Sequence, residues 1–171
     1  MDASEGVAEL EGIDGVTTRL LNVLSDEAVA NAALEIGAVD ILFNCAGVVH
    51  NGSVLDMADG DLDFAYDLNV RAMVRTVRAF LPGMLERRDG VIINMSSVNA
   101  VFAIANQVPY SISKGGMNQL TKVAALSLAP YGIRVNGIGP GSIMTDMLAS
   151  VNSDKAARMR VLSRTPLGRV G

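Results

Sequence analysis

The 171-residue sequence has one cysteine, Cys45, and one histidine, His50. No intrachain disulfide can form, which accords with a reducing compartment. A lone histidine cannot build a multi-histidine metal centre, and no metal is expected. Basic residues are outnumbered, 14 to 18, for a net charge of -4. The broad positive footprint of a nucleic-acid or anionic-membrane binder is therefore missing. No apolar run approaches the roughly 20 residues of a membrane helix. The small, acidic start Met1–Gly6 has neither the positive n-region nor the apolar stretch of a secretory leader. Repeats and low-complexity tracts are absent as well. The expectation is one soluble, cytoplasmic domain over 1–171 that acts on a small molecule, with no nucleic-acid or membrane partner.

Half of the residues are hydrophobic, enough for a real core. Short apolar runs alternate with longer helical patterns. Val16–Val23, Val39–Phe43, Gly90–Met95 and Ile133–Ile138 read as strands, the second and third as strands buried on both faces. Ser25 or Asp26 caps a helix running to about Ile36. A long helix is expected from Asp61 to Met84, with Pro82 near its end, and another from Tyr110 to Ala129 behind Pro109. This alternation predicts an α/β domain whose parallel sheet is covered on both faces. Ligands bind at the carboxyl ends of such strands. Asn44, Ser96 with Ser97, and Pro140 with Gly141 fall there.

Tyr110 and Lys114 lie four residues apart on the last predicted helix. A phenol with a reference pKa of about 10 is a poor proton donor or acceptor at neutral pH unless a cation favours the phenolate. A lysine one turn along the same face supplies that field. Tyr66 and Tyr131 have valines at the corresponding position, Val70 and Val135. The spacing alone is a weak signal, equally compatible with an amphipathic tyrosine beside a solvated lysine. Ser97, thirteen residues before Tyr110 at a strand end, adds a hydroxyl that can donate to a substrate oxygen. Its plain alternative is a loop or helix-cap serine, a role Ser96 could fill equally.

Five ordered segments now carry a resemblance: Asn44-Cys45-Ala46-Gly47, Leu68-Asn69-Val70, Ile93-Asn94-Met95-Ser96-Ser97, Tyr110-Ser111-Ile112-Ser113-Lys114 and Pro140-Gly141-Ser142-Ile143-Met144-Thr145. Together they resemble the short-chain dehydrogenase/reductase family over essentially the whole chain. The resemblance implies a Rossmann-like doubly wound parallel sheet. It also implies hydride transfer between a nicotinamide cofactor and a carbonyl or alcohol. Tyr110 is then the general acid/base, and Lys114 favours the phenolate and holds the nicotinamide ribose hydroxyls. Ser97 positions the substrate oxygen. Asn69 breaks its helix locally and anchors a water that relays protons to Lys114. Asn44, Ala46 and Gly47 line the adenosine side, Pro140 and Gly141 begin the loop over the nicotinamide, and Ile143 and Thr145 bond its carboxamide or the phosphates. The two long helices imply a homodimer or homotetramer.

The chain departs from the family's pattern in places. No Thr-Gly-x-x-x-Gly-x-Gly phosphate turn precedes Val16. The first strand–helix unit, most of the second strand and the last strand of the family's fold have no counterpart. An exposed strand edge and an uncovered apolar face are the expected cost. Asn22, with Val23, stands where the family often has an adenine-contacting aspartate. Asp2 falls where NAD-type members carry the acid for the ribose 2′-hydroxyl, which places NAD ahead of NADP, although Asp2–Glu5 also fits a capping box. Thr17–Val23, Gly52–Arg71 and Arg78–Leu85 look most like the cytosolic type 2 3-hydroxybutyrate dehydrogenases. One of the carboxylate-binding arginines of that group is Gln107 here, and another matches Arg164, which could equally be a solvated cation beside Arg158, Arg160 and Arg169. A 3-hydroxy acid is thus the expected substrate class. An inactive relative serving as a binding or assembly subunit is the competing reading.

Overall fold

The computed structural model describes residues 7–145, 148 and 154–171, in two compact units, Leu21–Gly139 and Met1–Leu20 with Pro140–Gly171. In the larger unit, α1 spans Asp26–Ile36. The Ser25 side chain accepts from Ala28 N, satisfying one of the helix's free donors, so Ser25 and not Asp26 is the cap. Next come β1, Ile41–Asn44, and α2, Asp59–Tyr66. A π turn over Asp67–Arg71 leads into α3, Ala72–Arg87. β2 is Gly90–Met95, α4 Val108–Leu128 and β3 Ile133–Ile138. Helix α3 runs past Pro82, beyond the Met84 expected as its end, and stops where Arg88 turns left-handed at φ 53°. Its neighbour Gly132 has φ +78°, and a Cβ there would lie 2.4 Å from Arg88 O, so only glycine fits this turn into β3.

The three strands pair in parallel in the order β1-β2-β3, which puts Asn44 opposite Asn94. One sheet face, with Leu42, Ile92, Ile133 and Val135, packs on Val77, Leu81 and Met84 of α3 and on Ala124 and Leu128 of α4. A second cluster, Val70, Met73 and Met117, joins the π turn and α3 to α4. A buried polar strip crosses the core. Thr76 Oγ donates to Asn44 Oδ1 (2.6 Å), Asn44 Nδ2 to Asn94 Oδ1 (3.0 Å) and Asn94 Nδ2 to Thr121 Oγ (3.0 Å). Every member is satisfied, so the strip ties both helices to the strand ends without an orphaned group.

Two expectations are corrected. Residues 16–22 form no strand. A strand is stabilised by its ladder, and these residues form none. β1 is not buried on both faces: Ile41 is 61% and Phe43 49% exposed. Among the described residues it pairs on one side only, with β2, which leaves it an edge strand.

In the smaller unit α5, Lys155–Ser163, is capped by Asp154, whose side chain accepts from Ala156 N. Gly171 bridges Ser142 and Met144 through backbone hydrogen bonds of 3.0 and 2.8 Å. No described helix is long and apolar enough to cross a membrane.

Candidate active site

Near the carboxyl ends of β1 and β2 stand Tyr110 and Lys114 of α4, Asn69 of the π turn and Ser97 just ahead of the 3₁₀ turn. Lys114, on α4 one turn after Tyr110, is 4% exposed, and its Nζ lies 5.7 Å from the centroid of the Tyr110 ring. The ammonium donates to Met95 O, at the end of β2, at 2.8 Å. Burial pulls its pKa down to about 8, because the low-dielectric surroundings penalise the charged form; the electrostatic interaction with nearby Cys45 acts in the opposite direction. The amphipathic alternative, a lysine in solvent, is not what the fold builds.

Asn69 sits inside the π turn and is fully buried. The turn arises where Ala72 N–H reaches back to Asp67 O, five residues away, which widens the helix. This is the local helix break that the resemblance implies. The Asn69 amide makes three hydrogen bonds: Oδ1 accepts from Val48 N (2.8 Å), and Nδ2 donates to Val48 O (3.0 Å) and to Ser113 Oγ (2.9 Å). Ser113 in turn donates to Tyr110 O at 2.8 Å. Asn69 therefore clamps the loop after β1 onto the turn of α4 that carries Tyr110 and Lys114. Gly47 lies over this clamp. A Cβ there would stand 3.0 Å from Asn69 Oδ1 and 3.5 Å from Lys114 Nζ. Its lack of a side chain leaves backbone close to the ammonium.

Ser97 is 9% exposed and caps the 3₁₀ turn Val98–Ala100, accepting from Asn99 N at 3.2 Å. Its role as a cap and its availability as a donor are compatible, since a hydroxyl keeps its proton while accepting. Ser96 is buried too, but its hydroxyl has no hydrogen-bond partner among the described residues. Ser96, Ser97, Val101, Phe102 and Asn118 bound a cavity of about 240 Å³. Gln107 is the N-cap residue of α4. Its Oε1 accepts from Asn99 Nδ2 (2.7 Å) and its Nε2 donates to Asn51 Oδ1 (3.2 Å).

The remaining expected residues are placed as follows. Asn44 turns its amide into the core strip, and Ala46 and Gly47 follow it in the loop after β1. Asn22 is exposed and accepts from Leu24 N at 3.0 Å, shaping the turn that includes Val23 ahead of α1. Pro140, Gly141, Ile143, Thr145 and Arg164 belong to the smaller unit. There Ile143 is 43% exposed, and Arg164 Nε donates to Arg160 O at 3.2 Å. Asp2 lies outside the described residues. Sequence reasoning missed Asn51, Asn99 and Ser113 as parts of the site. Their signal is tertiary, because the side-chain amides of Asn51 and Asn99 meet Gln107 and the Ser113 hydroxyl meets Asn69, each from another element.

The family model described as short chain dehydrogenase matches residues 21–156. The chain belongs to that family. "Dehydrogenase/reductase SDR family member 6" of Danio rerio is 43% identical over 145 residues, covering 84% of this chain and 59% of the relative. The 2-keto-3-deoxy-L-fuconate dehydrogenase of Xanthomonas campestris is 39% identical, over 92% of this chain and 55% of its own. Among solved structures, a gluconate 5-dehydrogenase from Burkholderia cenocepacia in complex with NADP and tartrate superposes with a TM-score of 0.84 at 30% identity, covering 88% of this chain and 61% of that one. The chain thus spans about three-fifths of the length of the short-chain dehydrogenases it matches. The parallel sheet with helices is the Rossmann-like class that the sequence pattern predicts.

The site fits one end of a nicotinamide cofactor. Lys114 carries three donors, only one of which meets a described partner, Met95 O. Gly47 keeps the neighbouring backbone free of a side chain. Those are the features that ribose hydroxyls beside a phenol require. Nothing comparable among the described residues forms a glycine-rich cradle for the pyrophosphate.

Proposed function

We propose that this chain carries the catalytic part of an oxidoreductase that exchanges hydride between a nicotinamide cofactor and a carbonyl or alcohol. The buried Lys114 ammonium against the Tyr110 ring is the observation that carries the reading. When bound, the cofactor supplies or accepts the hydride. The chain's own residues handle the proton. Tyr110 gives a proton to the developing alkoxide or takes it from the alcohol, and Ser97 donates a hydrogen bond to the same oxygen, so that charge is stabilised where it develops. Lys114, held by Met95 O, keeps a positive charge beside the phenol and holds the ribose hydroxyls with its two remaining protons. Asn69 keeps Gly47 and the Tyr110 turn in register and anchors the water that returns protons to Lys114.

The finer features belong to the same proposal. NAD is favoured over NADP through Asp2, while the Burkholderia relative was solved with NADP. Asn22, Val23, Asn44, Ala46 and Gly47 line the adenosine side, and Pro140, Gly141, Ile143 and Thr145 cover the nicotinamide. The substrate is a hydroxy or keto acid, its carboxylate end met by Arg164 and by the free N–H of Gln107; relatives named for fuconate and gluconate act on acids of this kind. The chain works as one domain in a cytoplasmic homodimer or homotetramer.

The test is a thermal melt with NADH and with NADPH, followed by a nicotinamide-absorbance screen over 3-hydroxy acids, sugar acids and neutral ketones. A melt shifted upward by NADH, with turnover greatest on an acid, is the expected result. A melt unmoved by either cofactor, with no turnover, overturns the reading. Preference for neutral ketones overturns the acid assignment alone.

A further inference from the structure

The three amides Asn51, Gln107 and Asn99 form a chain of hydrogen bonds, of which the hydride-transfer reading uses only the remaining N–H of Gln107. Asn51 comes from the loop after β1, Asn99 from the 3₁₀ turn after β2 and Gln107 from the start of α4. Backbone hydrogen bonds run alongside: Gly52 N donates to Asn106 O at 2.9 Å and Val108 N to Gly52 O at 3.0 Å, an isolated parallel bridge. Three loops that share no secondary structure are pinned at one point. That point lies three residues before Tyr110 and two residues after Ser97.

Asn99 is 7% exposed, and its two ends do different things. The side-chain amide donates to Gln107 Oε1 at 2.7 Å, and the backbone N–H donates to Ser97 Oγ at 3.2 Å. With one lone pair of Ser97 occupied by that N–H, the hydroxyl proton must point elsewhere. Whatever fixes Asn99 therefore narrows the directions open to the Ser97 proton. Gln107 is the group that does so, and it is rooted in the first turn of the helix that bears Tyr110.

We infer that Gln107 and Asn99 are positioning residues: together they hold the Ser97 donor in register with the Tyr110 phenol. This inference rests on the proposed oxidoreductase reading, and it gives Gln107 a task beyond any contact with substrate. Shifts of about an ångström in such a constellation cost on the order of 100-fold in rate, so a short brace of 2.7 Å has leverage.

The experiment compares Gln107→Met, Asn99→Ala, the double variant and Gln107→Glu in the full chain. Gln107→Met and Asn99→Ala each break the same hydrogen bond. The expected result is a fall in kcat of about 10-fold or more for each, with KM nearly unchanged in Asn99→Ala and no further loss of kcat in the double variant. Gln107→Glu keeps an oxygen that accepts from Asn99 Nδ2, so kcat at saturating substrate recovers relative to Gln107→Met, while KM for an acid rises because the carboxylate has lost its N–H donor. The second readout needs no turnover: backbone amide hydrogen exchange at position 99 speeds up in Gln107→Met and Asn99→Ala and is slow again in Gln107→Glu. A rise in KM with kcat preserved in Gln107→Met, with Asn99→Ala indifferent, overturns the brace in favour of a substrate contact. Losses that multiply in the double variant, or exchange at position 99 that no variant changes, overturn it too. If the wild-type chain turns over nothing with either nicotinamide, the oxidoreductase reading fails, and the exchange measurements still decide the brace.

Discussion

Replacing Lys114 by methionine should make the protein more stable at neutral pH while removing its proposed chemistry. The ammonium is 4% exposed, and burial brings its pKa from 10.5 to about 8. At about 1.4 kcal/mol per tenfold change in equilibrium constant, holding the charge in the folded state costs about 3 kcal/mol. Methionine is of similar length and carries no charge, but it gives up the hydrogen bond to Met95 O, worth about 1 kcal/mol. Lys114→Met should therefore gain roughly 2 kcal/mol at pH 7. The sign reverses with pH. Between the folded value of about 8 and the ordinary lysine value of 10.5 the unfolded chain binds the extra proton, so wild-type stability rises with pH across that window. The penalty is complete below the folded value and gone above the unfolded one. The advantage of the variant should shrink from pH 8 upward and vanish, or turn into a deficit of about 1 kcal/mol, near the top of the window. The chain has no tryptophan, so urea unfolding is followed by far-ultraviolet circular dichroism, wild type against variant at each pH. A variant less stable than wild type at pH 7, or a stability difference that does not change from pH 7 to 10, refutes the reasoning.

Asn69→Ala removes a buried amide with three hydrogen bonds and leaves Val48 N and O without partners. It should cost about 3 kcal/mol by urea unfolding, and a loss under about 1 kcal/mol contradicts the clamp. Gly132→Ala should cost about 2 kcal/mol or more, because it combines a left-handed φ of 78° with a Cβ pressed to 2.4 Å from Arg88 O. A loss under about 1 kcal/mol would show that the contact with Arg88 is relieved at no cost.

What could be read before folding was what each segment decides by itself. Gly90–Met95 and Ile133–Ile138 are strands within the bounds that their apolar runs and flanking breakers predict. Ser25 caps α1 because a hydroxyl just ahead of an amphipathic run has a free N–H to accept. Tyr110 and Lys114 meet because helical spacing is local. The failures are non-local. Residues 16–22 have a strand's composition and no ladder, and β1 has a buried strand's composition and an exposed outer face. The π turn at Asn69 interrupts a hydrophobic period that reads as continuous from Asp61 to Met84. Gln107 stood out only as a glutamine in place of an arginine; its partners Asn99 and Asn51 lie 8 and 56 residues away. Asn44 and Asn94 face each other only because the β1–β2 register puts them opposite.

Hydride transfer with a proton from Tyr110 can be tested most directly by isotope. Cofactor carrying deuterium at the transferring carbon of the nicotinamide is mixed with the accepted carbonyl substrate, and the alcohol is analysed by mass spectrometry. The account predicts one deuterium on the carbinol carbon with the wild-type chain and almost none with Tyr110→Phe at matched cofactor saturation. Alcohol formed without deuterium, or labelled equally well by Tyr110→Phe, would contradict it.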